Sequence, residues 1–171
     1  MDDSELKYNK EENDDSAIET WRNSEGDLFR MNGPATIQSY SNGYRYEFWY
    51  QIPKKVHREN EPAVLEYIND VLITQTWYTD GVIYNPTGGP SRIQFFYEIR
   101  NKDYKDYNFE LFSLIGIRNT NIIRGKIWSN NIGFAHRDDN LPALINYDEN
   151  GKVIKNQWCI NGRLIREENY E

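Results

Sequence analysis

Residues 49–62 read Trp49-Tyr-Gln-Ile-Pro-Lys-Lys-Val-His-Arg-Glu-Asn-Glu-Pro62, and two further tryptophans are followed by a proline at the same distance. Trp21 leads to Pro34 and Trp77 to Pro90, and both residues advance by 28 from copy to copy. A fourth copy, Trp128 to Pro142, is one residue longer, and a fifth opens at Trp158. A fixed period of this size marks a chain of stacked supersecondary units, none of which can bury its apolar surface alone.

Outward from each proline the pattern alternates. The next residue is small (Ala35, Ala63, Ser91, Ala143), the third is aliphatic (Ile37, Leu65, Ile93, Ile145), and the fourth is polar (Gln38, Glu66, Gln94, Asn146). Alternation with period two is the signature of a strand with one buried and one wet face. Proline suits its first residue, where no ladder donor is needed. Turns follow at Ser41-Asn42-Gly43, Asn69-Asp70 and Glu149-Asn150-Gly151, so each strand should return antiparallel. The return strands carry the repeat tryptophans near their ends, and further turns at Asp80-Gly81 and Asn161-Gly162 lead into short apolar pairs. The pattern predicts an all-β fold: an antiparallel meander of about ten to fourteen strands built from hairpin units, with the tryptophans stacked as a ladder.

Two regions depart from the period. Trp77 and Trp128 are 51 residues apart, which reads as one full unit plus a degenerate, shortened unit over about 97–127, with a polar loop at residues 101–106. Residues 1–16 hold seven acids against Lys7 and Lys10 and show no hydrophobic alternation. They read as an acidic, solvated tail ahead of a single domain at 17–171.

Composition supports sheet over helix, with 13 Tyr and 5 Trp against five alanines. The net charge is −7, of which −5 lies in residues 1–16, so the body is nearly neutral and advertises no surface for nucleic-acid phosphates. The lone cysteine, Cys159, rules out an intramolecular disulfide framework and fits a reducing compartment. The N-terminus has no apolar leader, and no run is long enough to cross a bilayer as a helix. The expectation is a soluble, intracellular or cytoplasmic protein.

The segments Phe29-Arg-Met-Asn-Gly-Pro-Ala35, Val56-His-Arg-Glu-Asn-Glu-Pro-Ala63 and Ala135-His-Arg-Asp-Asp-Asn-Leu-Pro-Ala143 resemble the His-Arg-x-x-Gly-Pro-Ala repeats of MORN-variant proteins. The likeness spans about residues 18–170. It departs at Glu61, at Asn85-Pro86 in place of His-Arg, and at Asn140-Leu141. Such proteins occur in bacteria, where some act as antitoxins, and in large DNA viruses. The resemblance implies a β-hairpin interaction scaffold and no reaction.

Candidate chemistry is sparse. His57 and His136 hold equivalent repeat positions, so they should lie apart on one edge, unsuited to a shared metal. The recurrence of His-Arg points to a structural need such as capping a turn. Arg30, Arg58, Arg137 and Arg166 recur along the repeats; the first three, with the histidines, form a candidate binding row along that edge, although pairing with neighbours such as Glu59, Asp138 and Glu167 is the plainer role. Cys159, beside Trp158, reads as a small buried filler. Pro34, Pro62, Pro90 and Pro142, with Trp21, Trp49, Trp77, Trp128 and Trp158, are assigned structural roles. Nothing points to a cofactor or a catalytic group.

The expected function is therefore non-enzymatic: a scaffold that binds another protein, or a second copy of itself through sheet edges. In a viral source it would be an assembly or virion component. The alternatives are an antitoxin-like inhibitor, and a carbohydrate or single-stranded nucleic-acid binder acting through exposed tyrosines.

Overall fold

The computed structural model describes residues 3–100 and 116–171. After a 3-10 turn at Asp3–Glu5 come β1 (Lys7–Glu12), β2 (Ser16–Arg22), β3 (Thr36–Tyr40), β4 (Tyr44–Phe48), β5 (Val64–Ile68) and β6 (Val71–Thr76). They are followed by β7 (Tyr78–Thr79), β8 (Val82–Ile83), β9 (Arg92–Arg100), β10 (Gly116–Ile127), β11 (Leu144–Tyr147), β12 (Val153–Ile160) and β13 (Arg163–Asn169). Eleven strands form one antiparallel sheet in the order β1-β2-β3-β4-β5-β6-β9-β10-β11-β12-β13, and β7 with β8 makes a separate small hairpin. The sheet is an open meander with β1 and β13 as its edges.

Local chemistry fixes the connections. Asn69 and Asp70 both have positive φ (46° and 62°), as do Asp80 and Gly81 (52° and 84°) and Asn161 and Gly162 (49° and 81°), the conformation that a two-residue hairpin turn requires. The hydrogen bonds recur with the sequence period. The Trp21, Trp49, Trp77 and Trp128 amides donate to the carbonyls of Ala35, Ala63, Ser91 and Ala143 at 2.8–2.9 Å. The amides of those four small residues donate in turn to Phe48, Thr76, Ile127 and Gln157. All four are fully buried, at 0% exposure, and they mark a line of closest approach between successive units.

Three expectations need correction. The acidic segment is not a solvated tail: residues 7–12 form an edge strand paired with β2 from Lys7↔Arg22 to Glu12↔Ala17, and Ser16 already lies within β2. The Asn13 side chain builds the turn by accepting from the Asp15 and Ser16 amides, and the Tyr8 ring lies 5.1 Å from the Trp21 ring, centroid to centroid. Further back, the Asp3 carboxylate accepts from the Met31 and Asn32 amides at 2.7 and 2.9 Å.

Among the described residues no shortened unit stands between Trp77 and Trp128. The Ser91 amide bonds directly to the Ile127 carbonyl, and β9 pairs antiparallel with the lengthened β10. The loop expected at 101–106 lies outside the described residues.

The strands also do not divide into a buried and a wet face. Thr36 and Val64 are buried on the side that carries Gln38 and Glu66, and most side chains on both faces are half-buried. Among the described residues no second layer covers the sheet, so neighbouring side chains shelter one another instead.

Candidate binding surfaces

The arginine row is engaged within the fold. The guanidinium carbons of Arg30, Arg58, Arg137 and Arg166 sit 4.1, 3.6, 3.9 and 3.6 Å from the ring centroids of Trp21, Trp49, Trp128 and Trp158. This is close cation–π contact, which replaces the expected tryptophan ladder. The first three also donate from Nη1 to the carbonyls of Pro34, Pro62 and Pro142 at 3.3–3.5 Å. Arg58 pairs with Glu61 rather than Glu59, and Arg166 with Glu168 rather than Glu167. Burial lowers the Arg137 pKa.

The third unit keeps the donor and loses the charge. Asn85 donates from Nδ2 to the Pro90 carbonyl at 3.1 Å, the bond that arginine makes elsewhere. The Tyr84 amide donates to the Trp77 carbonyl, as His57 and His136 do to Trp49 and Trp128. Tyr84-Asn85, not Asn85-Pro86, therefore stands at the His-Arg position. The loop before it is one residue shorter because it turns on Asp80-Gly81 alone.

Both histidines cap turns. Nδ1 of His57 accepts from the Asp80 amide (3.2 Å), and Nδ1 of His136 accepts from the Asn161 amide (3.3 Å). Each caps the turn of the following unit, where the Gly81 and Gly162 amides donate to the carbonyls of Val56 and Ala135. Nε2 of His136 is 3.0 Å from Asp138 Oδ1. Among the described residues no three His, Cys, Asp or Glu side chains are placed to hold a metal. Cys159 is buried, and burial raises its thiol pKa, away from the reactive thiolate.

One structural motif escaped the sequence reading. Asn23 Oδ1 accepts from the Glu25 and Asp27 amides, and Asn130 Oδ1 from the Ile132 and Phe134 amides. Gly26 and Gly133 close the two loops with φ of 86° each. The shared signal is Trp-x-Asn-x-x-Gly, an Asx-type turn legible once the first and fourth units are aligned on their tryptophans.

Two surfaces remain open among the described residues. The first is an aromatic row on β4, where Tyr44, Tyr46 and Phe48 face the same side as Gln38 and Tyr40. The second lies around the β12–β13 hairpin, where Ile160, Leu164 and Ile165 are about half exposed, as is Phe134 beside Gly162. The sheet edges themselves are charged, with Lys7, Lys10, Glu11 and Glu12 on β1 and Arg166, Glu167 and Glu168 on β13. Charged edges resist strand-to-strand addition, which directs attention to the apolar hairpin end. Among the described residues no helix is long and apolar enough to cross a membrane.

No family model, curated protein or solved structure matches this chain.

Proposed function

We propose that this chain is a non-enzymatic scaffold that binds a partner protein through the apolar end formed by the β12–β13 hairpin. The observation that carries this reading is the exposure of Ile160, Leu164 and Ile165 at 50, 49 and 55% on one hairpin, with Phe134 at 52% beside its turn. Single exposed aliphatic residues are ordinary, whereas here the register pairs Ile160 with Arg163 and Cys159 with Leu164, so the hairpin end is apolar on both of its faces, as an end that docks into a partner would be. Elsewhere in the molecule a following hairpin docks at this position. The Gly81 amide bonds back to Val56 and the Gly162 amide to Ala135, and among the described residues nothing docks on the same outer side of the last hairpin. A partner with a complementary apolar hairpin or loop would continue the stack. The engagement of the histidines and arginines in turn capping and ring stacking supports a binding role over a catalytic one, as does the resemblance to MORN-variant repeats.

The test compares affinity capture from the native cell or infected host by the full chain and by an Ile160→Asp/Leu164→Asp variant. The reading requires a stoichiometric protein that the full chain retains and the variant loses at unchanged folding stability. Equal capture by both, or no stoichiometric partner with either, would overturn it.

A further inference from the structure

We propose that the aromatic row on β4 is a binding platform for an uncharged oligosaccharide. This site is separate from the apolar hairpin end, so either can fail without the other.

Geometry comes first. Tyr44, Tyr46 and Phe48 are alternate residues of one strand, which places their rings on one face at the two-residue repeat of a strand. Their centroids are 6.5 and 6.4 Å apart, with interplanar angles of 13 and 21°. Tyr40, on the neighbouring strand, meets Tyr46 edge-on at 6.1 Å and 88°. The rings line a shallow hollow of about 410 Å³ completed by Gln38 and Asn42. Three near-parallel rings held along one rigid strand are set in advance for a linear ligand, which lowers the ordering cost of binding.

Chemistry then narrows the ligand. The hollow combines apolar rings with phenol hydroxyls and two side-chain amides. Asn42 Oδ1 accepts from the Tyr44 amide at 3.2 Å, which fixes the side chain by its oxygen and leaves its NH₂ as a donor. Gln38 Oε1 accepts from the Tyr40 hydroxyl at 3.4 Å, leaving its own NH₂ as a donor. Sugar rings present this mixture in reverse, with C–H faces for the aromatic rings and hydroxyls for the amides.

Charge decides between ligand classes. Among the described residues no charged side chain lines the hollow. On the adjoining strand the register places Glu66 opposite Tyr46, and Arg92 pairs with that carboxylate at 3.2 Å. Nucleic acid draws most of its affinity from neutralisation of its phosphates by lysine and arginine, and the lining of this hollow offers neither. The other face of β4 differs: Arg45 pairs with Glu47 and lies 3.9 Å from the Tyr67 ring centroid, so that ring is already covered. The platform therefore lies on the face opposite Arg45 and Glu47, with the paired Glu66 and Arg92 beside it and no charge in its lining.

The experiment titrates the full chain with cellohexaose, maltohexaose and chitohexaose, following aromatic resonances by NMR, with oligouridylate as the contrasting probe. At least one hexaose should bind in the micromolar to millimolar range and keep its affinity at high salt. Tyr46→Ala and Tyr40→Ala should each weaken that binding about tenfold, the scale of one lost stacking contact. Tyr40 is 42% exposed, so its variant keeps the fold even if Tyr46→Ala does not. The Ile160→Asp/Leu164→Asp variant should bind the sugar normally. The proposal fails if no hexaose shifts these resonances at about 10 mM, if Tyr40→Ala binds as well as the parent chain, or if oligouridylate binds in preference.

Discussion

A guanidinium over an indole face gains cation–π attraction and covers ring area that a single-layer sheet would otherwise leave to water. Arg58 shows this most fully: it lies 3.6 Å from the Trp49 centroid, donates to Pro62 and pairs with Glu61, with its side chain 20% exposed. Arg58→Ala should therefore cost about 1–2 kcal/mol in urea denaturation, the sum of a partly desolvated cation–π contact and one hydrogen bond. Arg58→Lys should recover less than half of that, because an ammonium lacks the planar fork that stacks and donates together. A change below about 0.3 kcal/mol in Arg58→Ala would return this arginine to the free binding row. The recurrence of Arg30, Arg58 and Arg137 was legible in the sequence, but their partners were not. Linear proximity pointed to acidic neighbours, whereas the tryptophan nine residues earlier is brought beneath the guanidinium by the loop between them. The turn-capping role of His57 and His136 followed more directly, since a residue imposed at two equivalent positions meets a shared local need.

Among the elements, β1 shows why an edge strand is hard to read. All six of its residues are exposed, so it lacks the hydrophobic alternation that reveals interior strands, and its charge imitates a disordered tail. Its contribution is nonetheless specific. It pairs with β2 from Ala17 to Arg22 and packs Tyr8 against Trp21. Removal of residues 1–12 should lower stability by on the order of 2 kcal/mol, from the lost aromatic pair and cross-strand contacts. It should also promote association, because β2 would become an edge carrying Ala17 and Ile18 in place of lysines and glutamates. Denaturation and sedimentation read the two effects, and an unchanged midpoint with an unchanged mass would restore the tail reading. The β9–β10 pair is hard to read for another reason. A spacing of 51 divides into a full and a partial period, but strands can lengthen without adding a unit, and spacing alone does not distinguish the two.

For the whole molecule, the meander order was legible because tight-turn residues alternate with the long tryptophan-to-proline loops: Asn69-Asp70, Gly43 and Gly151 each adopt the positive φ that returns a strand beside its predecessor. The division of burial between faces was not, since alternation reports which residues share a side and not whether anything covers that side. A sheet without a second layer instead draws its burial from large rings lying against one another and against arginine stems, and this gives it a distinctive response to alkali. Burial raises the pKa of Tyr46, Tyr50, Tyr67 and Tyr78 above the ordinary phenol value; Glu66 adds to the effect at Tyr46 and Glu47 at Tyr67, while Arg45 at Tyr67 and Arg92 at Tyr78 oppose it in part. The folded state therefore holds these protons more tightly than the unfolded state. Their stabilising contribution is complete below the unfolded phenol pKa of about 10 and is lost as pH rises through the higher folded values. Urea midpoints should stay level from neutrality towards that pH and then fall steeply. A Tyr67→Phe/Tyr78→Phe variant isolates the cause. That variant should show a shallower alkaline decline than the parent chain. An equal slope in both would remove burial of these two rings as its origin.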